Sequence, residues 1–266
     1  MNFIKFLDKV ADGDLLDAKS SRRESFGHMK NIGKNAAMAS IPFAFAATSN
    51  KTKAATMATS YASAMASPTE ILNFALTLEY LEKEFYQIGM DTDGLITGNA
   101  RDVFGLILKH EDEHVKFLLA ALGDNAIEKP NFDFTAGGSF DTFSNYQTFL
   151  LLSQGFEDTG VRAYKGQAGA LIDNNALLEY ALQIHSIEAR HASKVRRMRM
   201  EKGWITGAGD QSSPIAAVYA GEDNKIQGGV DLSLALSKYS SASLTEAFDE
   251  PLTMQEVNAI ASLFIQ

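Results

Sequence analysis

The sequence predicts an all-α fold, in which four long helices form a bundle with a long crossover between the second and third. Four segments carry apolar residues at helical spacing, and each is bounded by capping or glycine-containing sequences. The connection between the second and third segments is about 20 residues long, which suits a crossover along a bundle better than a tight hairpin. No segment shows convincing strand alternation. An N-terminal extension and a C-terminal tail of short helices and loops complete the predicted architecture.

Composition limits the chemistry that the chain can support. Of its 266 residues, 45% are hydrophobic and 21% are charged, as in globular proteins with a sizeable core. The net charge of -9 and the lack of a basic patch interleaved with aromatic residues argue against nucleic-acid binding. The chain has no cysteine, so disulfides, thiolate zinc sites and cysteine-ligated iron–sulfur clusters are excluded. Any metal must therefore be held by His, Glu and Asp.

Residues 1–67 are predicted to form the N-terminal extension, beginning with a short amphipathic helix at residues 1–10. Ser21-Arg22-Arg23 precedes an apolar, Ala-rich run that ends in a small-x-small sequence typical of cleavage sites. This arrangement resembles a degenerate twin-arginine export signal, which implies a periplasmic protein. The alternative is a cytoplasmic protein whose extension packs on the bundle. The apolar run is too short and interrupted to predict a membrane span.

The bundle is predicted over residues 68–202. Its first helix has Ser67 as N-cap, Pro68 at the first position and Glu70 in the first turn, and extends to about residue 91. The second extends from about residue 97 to residue 122 and ends at Gly123. The third covers about 144–172, and the fourth follows Asn174 and ends at about residue 202.

Residues 203–266 are predicted to form a tail of loops and two shorter helices, near 232–248 and 253–264. Thr253 and Glu256 have the spacing of a capping box at the start of the second helix. The tail shows no chemical motif. We expect it to cover the bundle or to mediate assembly, either as a homo-oligomer or with a protein partner.

Two Glu-x-x-His motifs, one in the second helix and one in the fourth, suggest a metal site. Glu111 and His114 form the first, and Glu188 and His191 form the second. Residues three apart share a face of a helix, so each motif presents a carboxylate and an imidazole in the same direction. One such motif is weak evidence, whereas two in long apolar-periodic helices are better evidence.

Two further glutamates, Glu79 and Glu157, complete the pattern, and each precedes a tyrosine, Tyr86 or Tyr164, by seven residues. Glu79 lies 32 positions before the glutamate of the first motif, and Glu157 lies 31 positions before that of the second. The helices thus read as two copies of one helix pair. The candidates interrupt otherwise apolar stripes, which predicts that they are buried.

Four buried glutamates would need compensation, because burying a carboxylate costs several kcal/mol. Two divalent cations would neutralise the four negative charges, and two neutral imidazoles would complete the coordination. Nothing else in the sequence offers four positive charges at that place. The pattern therefore predicts a site for two metal ions.

These residues resemble the di-metal carboxylate bundles of the ferritin-like superfamily, which includes bacterioferritins and rubrerythrins. The segments LNFALTLEYLEKEFY, GFEDTGVRAYKG and IHSIEARHA are most similar to the ferritin-like domain group that includes plant desiccation-related proteins and many bacterial proteins. The resemblance implies Glu79 and Glu157 as terminal ligands, Glu111 and Glu188 as bridges, and His114 and His191 as one ligand to each metal. It places Tyr86 and Tyr164 beside the site, where they would hydrogen-bond a carboxylate or give up an electron.

Several charged residues flank this set. Glu82, Glu113 and His110 could each replace or add a ligand, but we interpret Glu82 and Glu84 as a solvated helix face. His110 and His185 are interpreted as partners of ligands or as surface groups, and so are Asp112 and Asp158. The Lys194-Arg196-Arg197-Arg199 cluster is interpreted as the solvated end of the fourth helix, where it complements the helix dipole.

Three functions fit this site. The favoured one is a stress-protective di-iron protein, of ferroxidase or peroxide-detoxifying type, that binds two irons and reacts with O2 or peroxide; oxygen and nitrogen ligands suit iron or manganese. The second is a manganese enzyme of the catalase type. The third is a non-enzymatic stress or structural protein in which the metal pair only holds the bundle together.

Overall fold

The computed structural model describes residues 66–266, and its core is a bundle of four long α-helices. The helices are α1 (Pro68–Asp91), α2 (Asn99–Leu122), α3 (Tyr146–Ala168) and α4 (Asn175–Met198). α1 packs along α2, α3 packs along α4, and α1 also contacts α3. The predicted all-α bundle is thus confirmed. The amphipathic helix and the twin-arginine-like segment predicted near the N-terminus lie outside the described residues.

Local hydrogen bonds fix the start of α1 at the predicted residue. The backbone N–H of Ser67 donates to Glu70 Oε2 at 2.7 Å, and the N–H of Glu70 donates to Ser67 Oγ at 3.2 Å. This reciprocal pair satisfies two of the donors that a helix leaves free at its N-terminus.

Two of the long helices end earlier than predicted. α3 ends at Ala168 and tightens into a 3-10 turn at Gly169–Leu171, as is common at helix C-termini. α4 ends at Met198 instead of about residue 202, because Met200 has a positive φ of 65° and so cannot continue a right-handed helix.

The C-terminal tail contains a 3-10 turn at Ala216–Tyr219, followed by three short α-helices and a small hairpin. They are β1 (Ile226–Gln227), β2 (Val230–Asp231), α5 (Leu232–Ala235), α6 (Ser241–Thr245) and α7 (Met254–Ala261). The predicted helix near 232–248 is wrong, because α5 and α6 are separate and start at their own caps, Asp231 and Ser240. The hairpin was missed, although its Gly228-Gly229 turn, with both φ positive, is a recognised sequence signal.

Tail residues contact the C-terminal half of α3 through Arg162, whose side chain is fully buried. Its Nε lies 2.9 Å from Glu222 Oε1, and its guanidinium donates to the carbonyls of Val218, Ala220 and Glu250. The crossover also contacts the chain's last residues, since the N–H of Asp133 donates to the Phe264 carbonyl at 2.8 Å. Among residues 66–266, no helix is both long and apolar enough to cross a membrane.

Candidate metal centre

The four long helices bring all six predicted ligands together in the bundle core. α1 and α3 each supply one glutamate, and α2 and α4 each supply a Glu-x-x-His pair. The potential ligand atoms form two groups, each with all its atoms within 4.8 Å of one another: Glu79, Glu111, His114 and Glu188 in one, and Glu111, Glu157, Glu188 and His191 in the other. Glu111 and Glu188 belong to both groups, which is the arrangement that two carboxylate-bridged metal ions require.

Burial of this cluster is nearly complete. All four carboxylates are 0% exposed, and His191 is 5% exposed. None of the ion pairs among the described residues joins these carboxylates to a lysine or an arginine; their charged contacts are to His114 and His191. Four carboxyl groups therefore share a buried core with two imidazoles as their closest basic groups, and burial raises the pKa of Glu111 and Glu188.

Several atoms that face one another in the cluster lack a hydrogen bond. They are Glu111 Oε1, Glu157 Oε2, both carboxylate oxygens of Glu188, and His191 Nδ1. Buried polar atoms are nearly always paired, so each exception needs an explanation. Divalent cations between the two groups would coordinate these atoms and cancel the negative charge, and the oxygen and nitrogen donor set fits iron or manganese.

Both histidines point Nδ1 at the carboxylates. Nδ1 of His114 lies 2.8 Å from Glu111 Oε2 and 3.1 Å from Glu79 Oε2. Nδ1 of His191 lies 2.8 Å from Glu111 Oε1, an ion-pair distance without hydrogen-bond geometry. On its other side, His191 Nε2 lies 2.9 Å from Nδ1 of His110, and the two rings are nearly parallel. His110 thus orients a candidate ligand, as metal-binding histidines commonly require.

The carboxylates make both imidazoles basic. Burial lowers the pKa of His114, but hydrogen bonds to Glu111 and Glu79 outweigh it and raise the pKa to about 10. Burial also lowers the pKa of His191, but the charge of Glu157 and the nearby Glu111 carboxylate raise it to about 10. A metal ion that binds Nδ1 must therefore displace a proton.

Each of the two predicted tyrosines makes a hydrogen bond to a glutamate of the other helix pair. Tyr86 on α1 donates to Glu157 Oε1 on α3 at 2.5 Å, and Tyr164 on α3 donates to Glu79 Oε1 on α1. Burial raises the pKa of each phenol well above its ordinary value, and the partner carboxylate raises it further. Both phenols therefore stay protonated and fix one oxygen of each terminal carboxylate.

The interpretation of Glu82 as part of a solvated helix face is wrong. It is only 2% exposed, one turn after Glu79, whereas Glu84 is partly exposed and pairs with Lys129 as a surface residue would. Burial raises the pKa of Glu82 well above its usual range, and the charge of Glu157 adds to this effect. The spacing of three residues from Glu79 was the signal that could have placed it in the core.

Gly160 on α3 provides the space that these carboxylates occupy. A Cβ at this position would lie 2.9 Å from Glu188 Oε2 and 3.3 Å from Glu82 Oε1. Any larger residue would displace a carboxylate, so the glycine belongs to the site although no sequence pattern singled it out.

The sequence suggested that the basic cluster at the end of α4 is solvated. The structure corrects this interpretation for one of its arginines. Arg196 is 4% exposed, and its guanidinium makes two hydrogen bonds to the buried carboxylate of Asp158, at 2.5 and 3.2 Å. Asp158 also accepts from Tyr219 at 2.7 Å. His185, as expected, lies outside the ligand set and contacts the Val161 carbonyl at 2.9 Å.

Comparison with known proteins places the chain in a family. A search of curated proteins found no match. The family model described as "Ferritin-like domain" matches residues 67–201, which is half of the chain and contains all six candidate ligands. The family match, the four-helix bundle and the buried Glu/His cluster are consistent with one another. The chain therefore belongs to the ferritin-like domain family.

Proposed function

We propose that this chain binds two iron ions between α1, α2, α3 and α4 and reacts with O2 or peroxide. The observation that carries the proposal is the pair of carboxylates common to both ligand groups, Glu111 and Glu188, three of whose four oxygens lack a hydrogen bond. The site residues would be the six ligands named above. Tyr86 and Tyr164 would hold the terminal carboxylates in place.

Two ferrous ions held there would supply two electrons. With the uptake of two protons, these would reduce O2 to hydrogen peroxide, or hydrogen peroxide to two water molecules. The protein contributes a buried site lined by carboxylates in fixed positions. Such a site would favour the higher charge of the oxidised ions. Its own residues also handle protons, because the two histidines must release theirs when metal binds.

The first experiment is the metal content per chain after anaerobic Fe(II) loading and desalting. We expect two irons in the wild type and their loss in Glu111→Ala/Glu188→Ala. The matched control is Glu113→Ala/Glu179→Ala, which removes two exposed glutamates from the same two helices and should keep both irons. Retention of iron by the first variant, or none in the wild type, would contradict the proposal.

Reactivity decides between the functions that share this site. Oxidation of the bound iron on adding O2 or peroxide supports the proposal. A manganese enzyme would instead evolve O2 from peroxide only when loaded with manganese. A structural role would leave the loaded protein unreactive but lower its melting temperature on chelation.

A further inference from the structure

A small cavity lies in the bundle one helical turn from the candidate metal ligands. Its lining includes Ala75, Leu118 and Ile184, each of which is four residues from a ligand on its own helix. Residues four apart share a helix face and are separated by about 6 Å along the axis. The cavity therefore lies about one helical turn from the layer of candidate ligands, and three helices contribute to it at that level.

The opposite side of the metal-binding layer is filled by aromatic rings. Phe85, Tyr86, Phe104 and Phe149 are all 0% exposed, and the rings of Phe85 and Phe149 stack with centroids 4.7 Å apart. A small molecule would have to displace packed rings to approach from that side. Of these two sides of the site, only the one with the cavity already offers room.

The size and lining of the cavity restrict what it can hold. It leaves about 20 Å³ for the centre of a water-sized molecule, whereas roughly 10–15 Å³ suffices for one such molecule. Hydrocarbon side chains make up most of the lining, and the buried polar group, the Tyr164 hydroxyl, already donates to Glu79. Water or hydrogen peroxide would lose hydrogen bonds there, because a buried water needs two to four polar partners. An apolar diatomic gas would lose none.

The cavity lining includes residues near solvent as well as a residue that contacts a candidate ligand. Tyr180 lines it, is 45% exposed, and has its ring 4.9 Å from that of Phe117. Tyr164 also lines it and donates a hydrogen bond to Glu79. A molecule held in the cavity is thus separated from the first carboxylate by the Tyr164 side chain.

We propose that this cavity is a dioxygen site that delivers O2, and not peroxide, to the metal centre. The proposal rests on the proposed function, because it names the oxidant that the same site uses. Of the six candidate ligands, His114 has the most exposed side chain, at 12%, so we infer that polar reactants approach the site from there.

The first test needs no metal. Dissolved O2 is paramagnetic and broadens the NMR signals of nearby methyl groups, so methyl relaxation is measured in metal-free protein with and without O2 pressure. We expect severalfold larger enhancement at Leu118 and Ile184 than at Ile107 and Val195, which are equally buried on the aromatic side. Equal enhancement at both pairs would overturn the proposal, whatever the protein does with iron.

The second test fills the cavity. Ala75→Leu places three more carbons in it, and Ala120→Leu makes the same change on the exposed face of α2. After equal iron loading is verified, we expect Ala75→Leu to slow oxidation by O2 severalfold, with oxidation by peroxide unchanged; the control should alter neither. Equal slowing with both oxidants, or with neither, would overturn the proposal. Failure to load iron in the wild type would instead contradict the proposed function and leave the NMR test intact.

Discussion

At the scale of single residues, the candidate metal centre contains more carboxyl groups than its four glutamate ligands account for. Glu82 adds a fifth carboxylate to the same dry region, and its raised pKa reflects burial and the charge of Glu157. Because the folded chain holds this proton more tightly than the unfolded chain does, stability falls as pH rises above the unfolded pKa near 4.5. Glu82 should therefore destabilise the metal-free protein near neutral pH.

We expect Glu82→Gln to raise the melting temperature of the metal-free protein, by about 2–4 °C for each kcal/mol of repulsion removed. The gain should be larger at high pH than at low pH, because only the wild-type side chain is driven to ionise. The new amide can also donate to carboxylate oxygens that lack a hydrogen bond. Melting curves of both proteins across pH measure the effect.

Glu84→Gln on the same helix is the control for this substitution. It removes a partly exposed ion pair with Lys129, and such pairs contribute about 0–1 kcal/mol. A lower melting temperature for Glu82→Gln than for the control would show that the carboxylate stabilises the metal-free fold.

At the scale of elements, glycine decides how closely the tail approaches α3. A Cβ on Gly166 would lie 1.9 Å from the carbonyl oxygen of Leu252, and the N–H of Leu252 donates to the Arg162 carbonyl at 3.2 Å. The segment before α7 thus lies directly on the backbone of α3. The contact is backbone on backbone, so no side-chain rotation can relieve a clash there.

Gly166→Ala should therefore lower the free energy of unfolding by at least about 1–3 kcal/mol, the usual cost of overpacking. Gly169→Ala is the matched control three residues later, because its Cβ meets no atom within 4 Å and its φ of -63° is helical. The control should be neutral or stabilising by about 0.4–1 kcal/mol. Urea unfolding of the two variants measures the difference, and equal midpoints would contradict the close approach.

At the scale of the whole molecule, the proposed metal binding would be linked to folding stability through protons. In the metal-free fold, the stability contributed by His114 and His191 is complete below pH 6.5, their unfolded pKa, and is lost as pH rises toward about 10. Metal ions need neutral imidazoles, so they compete with these two protons. Both effects make metal more stabilising as pH rises.

We expect anaerobic Fe(II) to raise the melting temperature more at about pH 8 than at about pH 6. Thermal unfolding with and without metal at each pH measures this difference. Chelated samples give the metal-free baseline, and His114→Ala/His191→Ala, which lacks both imidazole ligands, should lose the rise at both pH values. An equal rise at both pH values in the wild type would mean that the histidines are already neutral in the metal-free fold.

The sequence by itself determined the features that repeat along one chain. Helical periodicity gave four helices, the pair Ser67 and Glu70 gave the start of α1, and the three-residue spacing in Glu111/His114 and Glu188/His191 gave two ligand pairs on helix faces. These features depend on contacts within a few residues, so spacing alone predicts them. The same repeated spacing in the two helix pairs also led us to expect that the six residues would form one cluster.

Only the tertiary structure decided which side chains contact one another across different helices. The burial of Glu82, the pairing of Arg196 with Asp158, and the exchange of Tyr86 and Tyr164 between α1 and α3 all depend on how the helices are rotated and shifted against one another. The cavity beside the candidate metal centre likewise arises where small and large side chains from four helices meet. A helical repeat fixes the direction of a side chain relative to its own axis, whereas packing of the whole core fixes its neighbour.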